Sequence, residues 1–136
     1  MSIRIALLAL SSVCFVAGCM ANETREERLA LYQSNAGAPV NKIRYYNPVG
    51  WEELDDEHIL LTMRPKEVWL MRLSGPCLNY GAGSPALAIS SQAGYVSTKF
   101  DRVTTGDSPI SCRIEEIRPV DTAAVRTAGK TQASGT

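Results

Sequence analysis

The residues best suited to chemistry cluster at residues 54–58, LDDEH. Asp55, Asp56 and Glu57 supply carboxylates, and His58, the only histidine of the chain, supplies an imidazole. Oxygen and nitrogen donors of this kind bind divalent cations. Successive side chains of an extended chain diverge, however, so neighbouring residues do not converge on one ion. We therefore interpret the stretch as a solvated turn that opens a strand. An envelope enzyme, or metal-dependent hydrolase, that uses Asp55, Asp56 and His58 is the alternative.

One further stretch contains candidates for a cofactor-binding loop and for a serine nucleophile, but both lack features that such sites need. Residues 81–86, GAGSPA, follow a G-x-G-x-x-A pattern, yet a dinucleotide-binding loop must open a helix. Pro85 and a β-type run follow instead. Ser84 lacks the G-x-S-x-G sequence that surrounds the nucleophile of α/β-hydrolases. We therefore predict a protein without catalytic activity, bound metal or cofactor.

Aromatic residues offer the best candidate binding surface. Trp69 lies in the most apolar run and is expected in the core. Tyr45 and Tyr46 are adjacent, so within a strand one ring faces the core and the other faces solvent. Trp51 follows in a loop. We predict that Tyr45, Tyr46 and Trp51 form a surface for an envelope protein, a peptide or a glycan.

The amino terminus has the three-part layout of a secretory signal. Arg4 precedes the apolar run IALLALSSVCFVA, which is shorter than the roughly 20 residues that a membrane-spanning helix requires. Residues 16–19, VAGC, resemble a bacterial lipobox, in which the cysteine is acylated after cleavage. We predict a signal peptide at residues 1–18 and lipidation of Cys19. A buried helix of the domain and a signal cleaved without lipidation are the alternatives.

The predicted lipid also determines where the protein is located. Two or more acyl chains make membrane attachment stable. In well-studied Gram-negative lipoproteins, Asp after the acylated cysteine retains the protein at the inner membrane, and here that position is Met20. The resemblance therefore implies an outer-membrane lipoprotein, on the periplasmic leaflet.

The remaining cysteines form a single pair. Of the four cysteines, Cys14 leaves with the signal and Cys19 carries the lipid. Cys77 and Cys112 then share an oxidising compartment, where a disulfide is the expected state. A catalytic or metal-binding thiol is the alternative, although neither cysteine lies in a C-x-x-C motif.

Length and charge limit the remaining possibilities. A mature chain of about 118 residues can form one domain with one modest core. Lys and Arg number 14, as do Asp and Glu, so there is no basic excess to attract a nucleic acid. We predict no nucleic-acid partner.

The elements that position these residues are strands. The six apolar runs are KIRYYN, HILLTM, EVWLMRL, ALAIS, YVSTKFDRV and ISCRIEEI. RPK between the second and third runs predicts a hairpin, and SQAG between the fourth and fifth predicts another, with Gly94 at positive φ. Alternation in the last run places Cys112 on the core face. We predict a mainly β domain at residues 42–121, a small antiparallel sandwich or partly open barrel. An α+β fold with a helix near GWEELDDEH is the alternative.

The two ends of the mature chain lack the pattern of the domain. Residues 19–41 are predicted to form a tether or a short helix capped by Asn22, a spacer between lipid and domain. Residues 122–136 contain no large apolar residue beyond Val125. We therefore predict a disordered tail there, because such a segment buries too little to order itself.

The order of these segments resembles that of a known family. NKIRYY, GWEEL, HILLT, VWLMRLSGPC, LAISS, GYVSTKFDRV and SCRIEEIRPVD follow a lipobox, as in small Gram-negative lipoproteins known as a domain of unknown function. The matching positions are Trp51, Leu60, Leu70, Cys77, Phe100, Asp101, Val103, Cys112 and Ile114. The resemblance covers most of the mature domain. It implies a lipoprotein and carries no activity to transfer.

Overall fold

The computed structural model describes residues 23–78, 86–106 and 109–135. The predicted signal peptide, Cys19, the proposed cap Asn22 and most of the GAGSPA motif, including Ser84, lie outside these ranges.

Within the described ranges the chain forms two helices and eight strands, and the prediction of a mainly β fold is confirmed. The helices are α1 (Arg25–Ser34) and α2 (Thr122–Ser134). The strands are β1 (Lys42–Arg44), β2 (Gly50–Glu53), β3 (His58–Arg64), β4 (Glu67–Leu73), β5 (Leu87–Ile89), β6 (Tyr95–Ser97), β7 (Arg102–Thr105) and β8 (Ser111–Val120).

Six strands form one antiparallel sheet in the order β2-β3-β4-β8-β7-β5, which is nearly closed as a barrel. β1 and β6 form a separate antiparallel pair. The predicted hairpin of β3 and β4 is confirmed, with Pro65 and Lys66 in its turn. Their registered pairs alternate between the two faces of the sheet, as in any strand. Each face of this hairpin is buried against a different group of residues.

The inner core fills the interior of the barrel. Its buried members are Ile43, Ile59, Leu61, Met63, Met71, Leu73, Cys77, Leu78, Val96, Val103, Cys112, Ile114 and Ile117. The predicted disulfide between Cys77 and Cys112 is present, with 6.0 Å between the two Cα atoms. It joins the loop after β4 to β8. The predicted orientation of Cys112 towards the core is confirmed, since only 7% of that residue is exposed.

A second, smaller group lies on the opposite face of β3 and β4 and is covered by the two helices. This outer cluster contains Leu54, Leu60, Leu70 and Val120. Leu29, Tyr32, Ala36, Val68 and Val125 pack against it while partly exposed. The outer cluster explains why β3 and β4 read as continuous apolar runs, because both of their faces are covered.

Helix α1 belongs to the domain and is not a spacer. It is capped by Thr24 rather than Asn22: the Glu27 amide donates to Thr24 Oγ1 over 3.2 Å, and the Thr24 amide donates to Glu27 Oε2 over 2.8 Å. This reciprocal pair is a capping box. Leu31 is buried, and Arg28 donates twice to Glu52, over 2.7 and 2.8 Å. The short helix expected in this segment is therefore present, but from residue 24 onward it packs on the domain and is not a spacer.

The prediction of a disordered tail is also wrong, because residues 122–134 form α2. The Asp121 carboxylate accepts hydrogen bonds from the amides of Ala123 and Ala124, each over 3.0 Å. Val125 packs on the outer cluster. Alanine has the highest intrinsic helix propensity, and an N-cap with one apolar contact adds to it. Composition alone underestimates the stability of this helix, because it contains neither the N-cap nor the apolar contact of Val125.

The fifth apolar run, YVSTKFDRV, is divided between two strands. β6 pairs with β1 and β5 pairs with β7, so the fourth run pairs with the end of the fifth run, at Ile89 and Val103, and the two runs do not form one tight hairpin. A turn does form there, with Ala93 at φ 52° and Gly94 at φ 78°. The break follows from Asp101, whose buried carboxylate accepts from the Ser97 amide over 2.6 Å and from Ser90 Oγ over 2.8 Å.

The alternative of a helix near GWEELDDEH is wrong as well. Residues 50–53 form β2, in which Trp51 pairs with Leu61 and Glu52 pairs with Leu60. Trp51 packs against the inner core, whereas Glu52 reaches α1 on the outer face. The side chains of this segment therefore alternate between the two faces of the sheet, as in a strand.

Candidate functional site

Asp55 and His58 form a close pair in the turn between β2 and β3. Nδ1 of His58 lies 2.9 and 3.0 Å from the two carboxylate oxygens of Asp55. Asp55 Oδ1 also accepts from the amides of Glu57 and His58, over 2.8 and 2.7 Å. Burial alone would raise the pKa of Asp55, but the hydrogen bonds from the Glu57 amide and from His58 outweigh it and lower that pKa. Asp55 therefore stays ionised and closes the turn that opens β3.

The other acidic residues of this stretch diverge from that pair. Asp56 points to α1, where its Oδ1 lies 3.1 Å from an Nη2 atom of Arg25. In the three described ranges, no group of three or more His, Cys, Asp or Glu side chains is placed to hold a metal ion. Residues that are adjacent in sequence therefore have different partners: Asp55 and His58 bind each other in the turn, and Asp56 binds Arg25 of α1.

A small acidic cleft of about 250 Å³ opens beside this turn. It is lined by Arg25, Glu26, Leu29, Asp55, Asp56, Glu57 and Pro76. Nearby, burial and the charge of Asp56 raise the pKa of Glu53. The His58 ring is mostly buried, with 12% of its side chain exposed. The cleft offers carboxylates to a basic ligand, and one of them, Asp55, also holds His58.

The two predicted surface tyrosines lie against the inner core. Both are half-buried and pack on it, so the expectation of one outward ring is wrong. The reason is that β1 ends at Arg44, which leaves Tyr45 and Tyr46 outside the alternation of a strand.

Tyr46 is held by a carboxylate at one end of the barrel. Its hydroxyl hydrogen-bonds to Glu67, which raises the pKa of Tyr46. The indole N–H of Trp69 also donates to Glu67, over 3.4 Å. The Arg64 guanidinium lies 4.9 Å from the centre of the Tyr46 ring, a cation–π distance. Glu67 therefore joins two half-buried aromatic residues at the margin of the core.

Trp51 lies in β2 rather than in a loop. It pairs with Leu61, which pairs in turn with Trp69, so the three residues share the inner face. The structure thus places Tyr45, Tyr46 and Trp51 around one core, where none of the three is fully exposed. Their role in binding stays a prediction.

A groove opens on the outer face of the sheet, beside the outer cluster. This outer groove, of about 350 Å³, lies between the helices and the sheet. It is lined by Tyr32, Val49, Gly50, Trp51, Glu52, Leu60, Thr62, Val68, Thr122 and Val125. Burial raises the pKa of Tyr32, in keeping with the apolar surroundings of its ring.

Of the residues that line the outer groove, the sequence predicts only Trp51 as a binding residue, and Trp51 also packs against the inner core. The available signal was the continuous apolar character of HILLTM and EVWLMRL, in which Leu60 and Val68 occupy positions that a half-solvated strand leaves polar. Apolar residues at such positions must pack against another element. Helices α1 and α2 cover this face only in part, and the groove remains.

Across the described residues, no helix combines the length and the apolar character needed to span a membrane. Comparison with known families gives one match, to DUF6491, a family of unknown function, over residues 1–136. No curated protein matches the chain, and no solved structure matches it. The match over the full length shows that the chain belongs to the DUF6491 family of unknown function.

Proposed function

We propose that this protein is a lipid-anchored protein of the outer membrane that faces the periplasm and acts by binding a partner rather than by catalysis. The observation that carries the binding role is the outer groove, an apolar opening of about 350 Å³ beside two helices. The lipobox-like residues 16–19 support the anchor. The family match begins at residue 1 and so includes that segment.

The packing of α1 limits the distance between a lipid on Cys19 and the domain. Five peptide units connect Cys19 to Thr24, and an extended chain of that length spans no more than about 18 Å. Thr24 already caps α1, and α1 packs on the sheet through Leu31. An acylated Cys19 would therefore hold the domain directly above the membrane surface.

The proposed occupant of the outer groove is a peptide segment of an envelope protein. Leu60, Val68 and Val125 offer contacts to apolar side chains, while the hydroxyls of Thr62 and Thr122 can bond to a peptide backbone. The volume is near the lower limit for small-molecule sites, which suits one or two inserted side chains better than a whole cofactor.

Acyl-chain labelling in a Gram-negative host tests the anchor. The full chain should incorporate labelled fatty acid, and the Cys19→Ser variant should not. Cys77 and Cys112 serve as an internal control, because a disulfide-bonded thiol is not acylated. Equal labelling of both proteins would contradict lipidation at Cys19.

Site-specific photo-crosslinking in intact cells tests the binding role. Val49 is 68% exposed and lines the outer groove, whereas Tyr95 lies on the separate β1-β6 pair. A discrete adduct from position 49 that is absent from position 95, and lost in a Val125→Glu variant, is the expected result. An adduct that persists in Val125→Glu places the contact elsewhere and contradicts a groove-bound peptide.

One observation favours the alternative of an envelope enzyme or metal-dependent hydrolase. The carboxylate of Asp55 holds Nδ1 of His58 beside the acidic cleft, and a carboxylate that orients a histidine is a common part of acid–base and metal sites. Metal analysis of the purified protein separates the two candidates. Stoichiometric metal that is lost in His58→Ala would favour the hydrolase over the binding module.

A further inference from the structure

Two arginines stand directly opposite each other on the outer surface of β7 and β8. Arg102 pairs in register with Arg113, and both are exposed. Like charges in directly opposed positions destabilise a sheet. The cost is partly offset, since Arg102 Nη2 donates to the Ser111 carbonyl over 2.7 Å and Arg113 Nε donates to Glu115 over 2.7 Å. These bonds orient the guanidinium groups at the surface.

A third cation extends this arginine pair. Lys99 forms an ion pair with the same Glu115 that receives Arg113. Asp101, although close in sequence, is only 3% exposed and bonds inward to Ser97 and Ser90. The described patch therefore contains three cations, Lys99, Arg102 and Arg113, and one surface carboxylate, Glu115. Its net charge is positive.

Two exposed apolar residues are close in sequence to the same cations. The described chain exposes four large apolar residues, Val49, Tyr95, Phe100 and Ile110. Phe100 is 79% exposed and directly precedes Asp101 and Arg102, while Ile110 is 55% exposed and directly precedes β8. Exposed apolar residues beside basic residues are typical of surfaces that lie in a membrane interface. We name Lys99, Phe100, Arg102, Ile110 and Arg113 the basic surface.

We propose that the basic surface docks the domain onto a bilayer containing anionic phospholipid, an inference that rests on the lipid anchor of the proposed function. Cations close to an anionic bilayer are attracted to it, and an aromatic ring settles at the headgroup level. A surface this small binds weakly by itself. A tether raises its effective concentration at the membrane, so weak attraction is enough.

The basic surface lies within reach of the predicted anchor. Arg25 at the start of α1 bonds to Asp56, whose carbonyl accepts from the Cys77 amide over 2.9 Å. The disulfide then connects Cys77 to Cys112, which is adjacent to Arg113. Three successive contacts therefore join the start of α1 to the arginine pair, and the predicted link to the lipid adds no more than about 18 Å.

Charge further selects one orientation of the domain. The first turn of α1 contains Glu26 and Glu27 and lies near the acidic cleft. An anionic bilayer repels that region and attracts the basic surface. The domain is therefore expected to rest with β7 and β8 towards the lipid, while the short link to Cys19 keeps the start of α1 near the membrane.

Footprinting with hydroxyl radicals tests the docking on the full lipidated protein. The protein is reconstituted into vesicles of phosphatidylethanolamine and phosphatidylcholine, or into the same vesicles with phosphatidylglycerol added. Oxidation of Phe100 should fall several-fold on the anionic vesicles, and oxidation of Val49 should be the same on both. High salt should restore the oxidation of Phe100, because it screens the attraction.

Matched variants decide whether the arginine pair is responsible. Arg102→Gln combined with Arg113→Gln should restore the oxidation of Phe100 on anionic vesicles. Arg44→Gln combined with Arg64→Gln, which removes two other exposed arginines, should leave the protection intact. Equal oxidation of Phe100 on both vesicle types would overturn the proposal, as would protection that persists in Arg102→Gln/Arg113→Gln.

The remaining outcomes separate the docking from the anchor and from a different partner. Protection of Phe100 by soluble polyglutamate, without protection on anionic vesicles, would assign the basic surface to an acidic protein and overturn docking on lipid. Flotation with the anionic vesicles alone would contradict the lipid anchor while supporting the docking. Failure to float with either vesicle type would contradict both.

Discussion

The two faces of the β3-β4 hairpin are covered in different ways. Among the residues that the structure describes, the inner face belongs to a core of thirteen buried residues and carries the disulfide. In the same ranges the outer face has four buried residues, and two helices cover it but leave a groove. None of the residues of α2 is fully buried. Most of the stability therefore comes from the inner face, and the thinly covered outer face is where a partner can be admitted at low cost.

Two adjacent leucines provide the strongest test of this comparison. Leu61 is 0% exposed in the inner core, and Leu60 is 4% exposed in the outer cluster. Leu61→Ala should lower the free energy of unfolding by about 4 kcal/mol, since the close-packed interior cannot collapse around the cavity. Leu60→Ala should cost about 2 kcal/mol, because the helices can settle onto the smaller side chain. Urea denaturation measures both, and equal losses would show that the two faces are equally rigid.

The disulfide offers a second test of the difference in stability between the inner and the outer face. Removing it in the double variant Cys77→Ser and Cys112→Ser should cost about 3 kcal/mol, because the open chain gains conformational freedom when unfolded. The bond closes a loop with a sequence separation of 35. Hydrogen exchange should quicken in β4 and β8 alike, while exchange in α2 hardly changes. Faster exchange confined to α2 would reverse the assignment of the disulfide to the inner core.

The inner face was largely predictable from the sequence, and the outer face was not. Alternation in ISCRIEEI placed Cys112 correctly, because a period of two encodes one buried face. Ile110, at the same spacing, is 55% exposed instead, since β8 begins only at Ser111. The limits of a strand depend on its partners, which periodicity does not contain.

Helix α2, which was expected to be a disordered tail, escaped prediction for a related reason. The stabilisation of α2 comes from the Asp121 cap and from Val125 on the outer cluster, and of these only the cap is visible as a local pattern. The outer groove requires knowledge of how far two helices cover a sheet, which depends on contacts between residues distant in sequence. The separate interactions of LDDEH were equally hidden from the sequence, because Asp56 pairs with Arg25, a residue distant in sequence.

The N-cap of α2 should have a smaller, local effect. Asp121→Ala removes the acceptor for two amides and should cost about 1 kcal/mol. Because α2 covers only the outer face, the loss should appear as faster hydrogen exchange in α2 and as weaker crosslinking from Val49. Asp121→Asn, which retains an acceptor, is the matched control and should behave like the natural protein. A loss as large as that of Leu61→Ala would mean that α2 is an integral part of the core.

The smallest effect concerns the turn that determines which face each residue of β3 occupies. Leu54 before the turn belongs to the outer cluster and Ile59 after it to the inner core, so a slip of one residue would exchange the faces. Asp55 closes this turn with a lowered pKa. Its stabilisation is therefore complete well above the ordinary value of 3.8 and is lost as the pH falls through the lower folded value.

Asp55→Asn should accordingly lower the free energy of unfolding by about 0.5 kcal/mol at neutral pH, with no difference from the natural protein once the pH lies well below 3.8. Asp56→Asn is the matched control, because its ion pair with Arg25 is largely exposed and contributes little. Urea denaturation across this pH range measures both variants. A loss in Asp55→Asn that is the same at every pH would show that the shape of the side chain, rather than its charge, keeps the inner and outer residues of β3 in register.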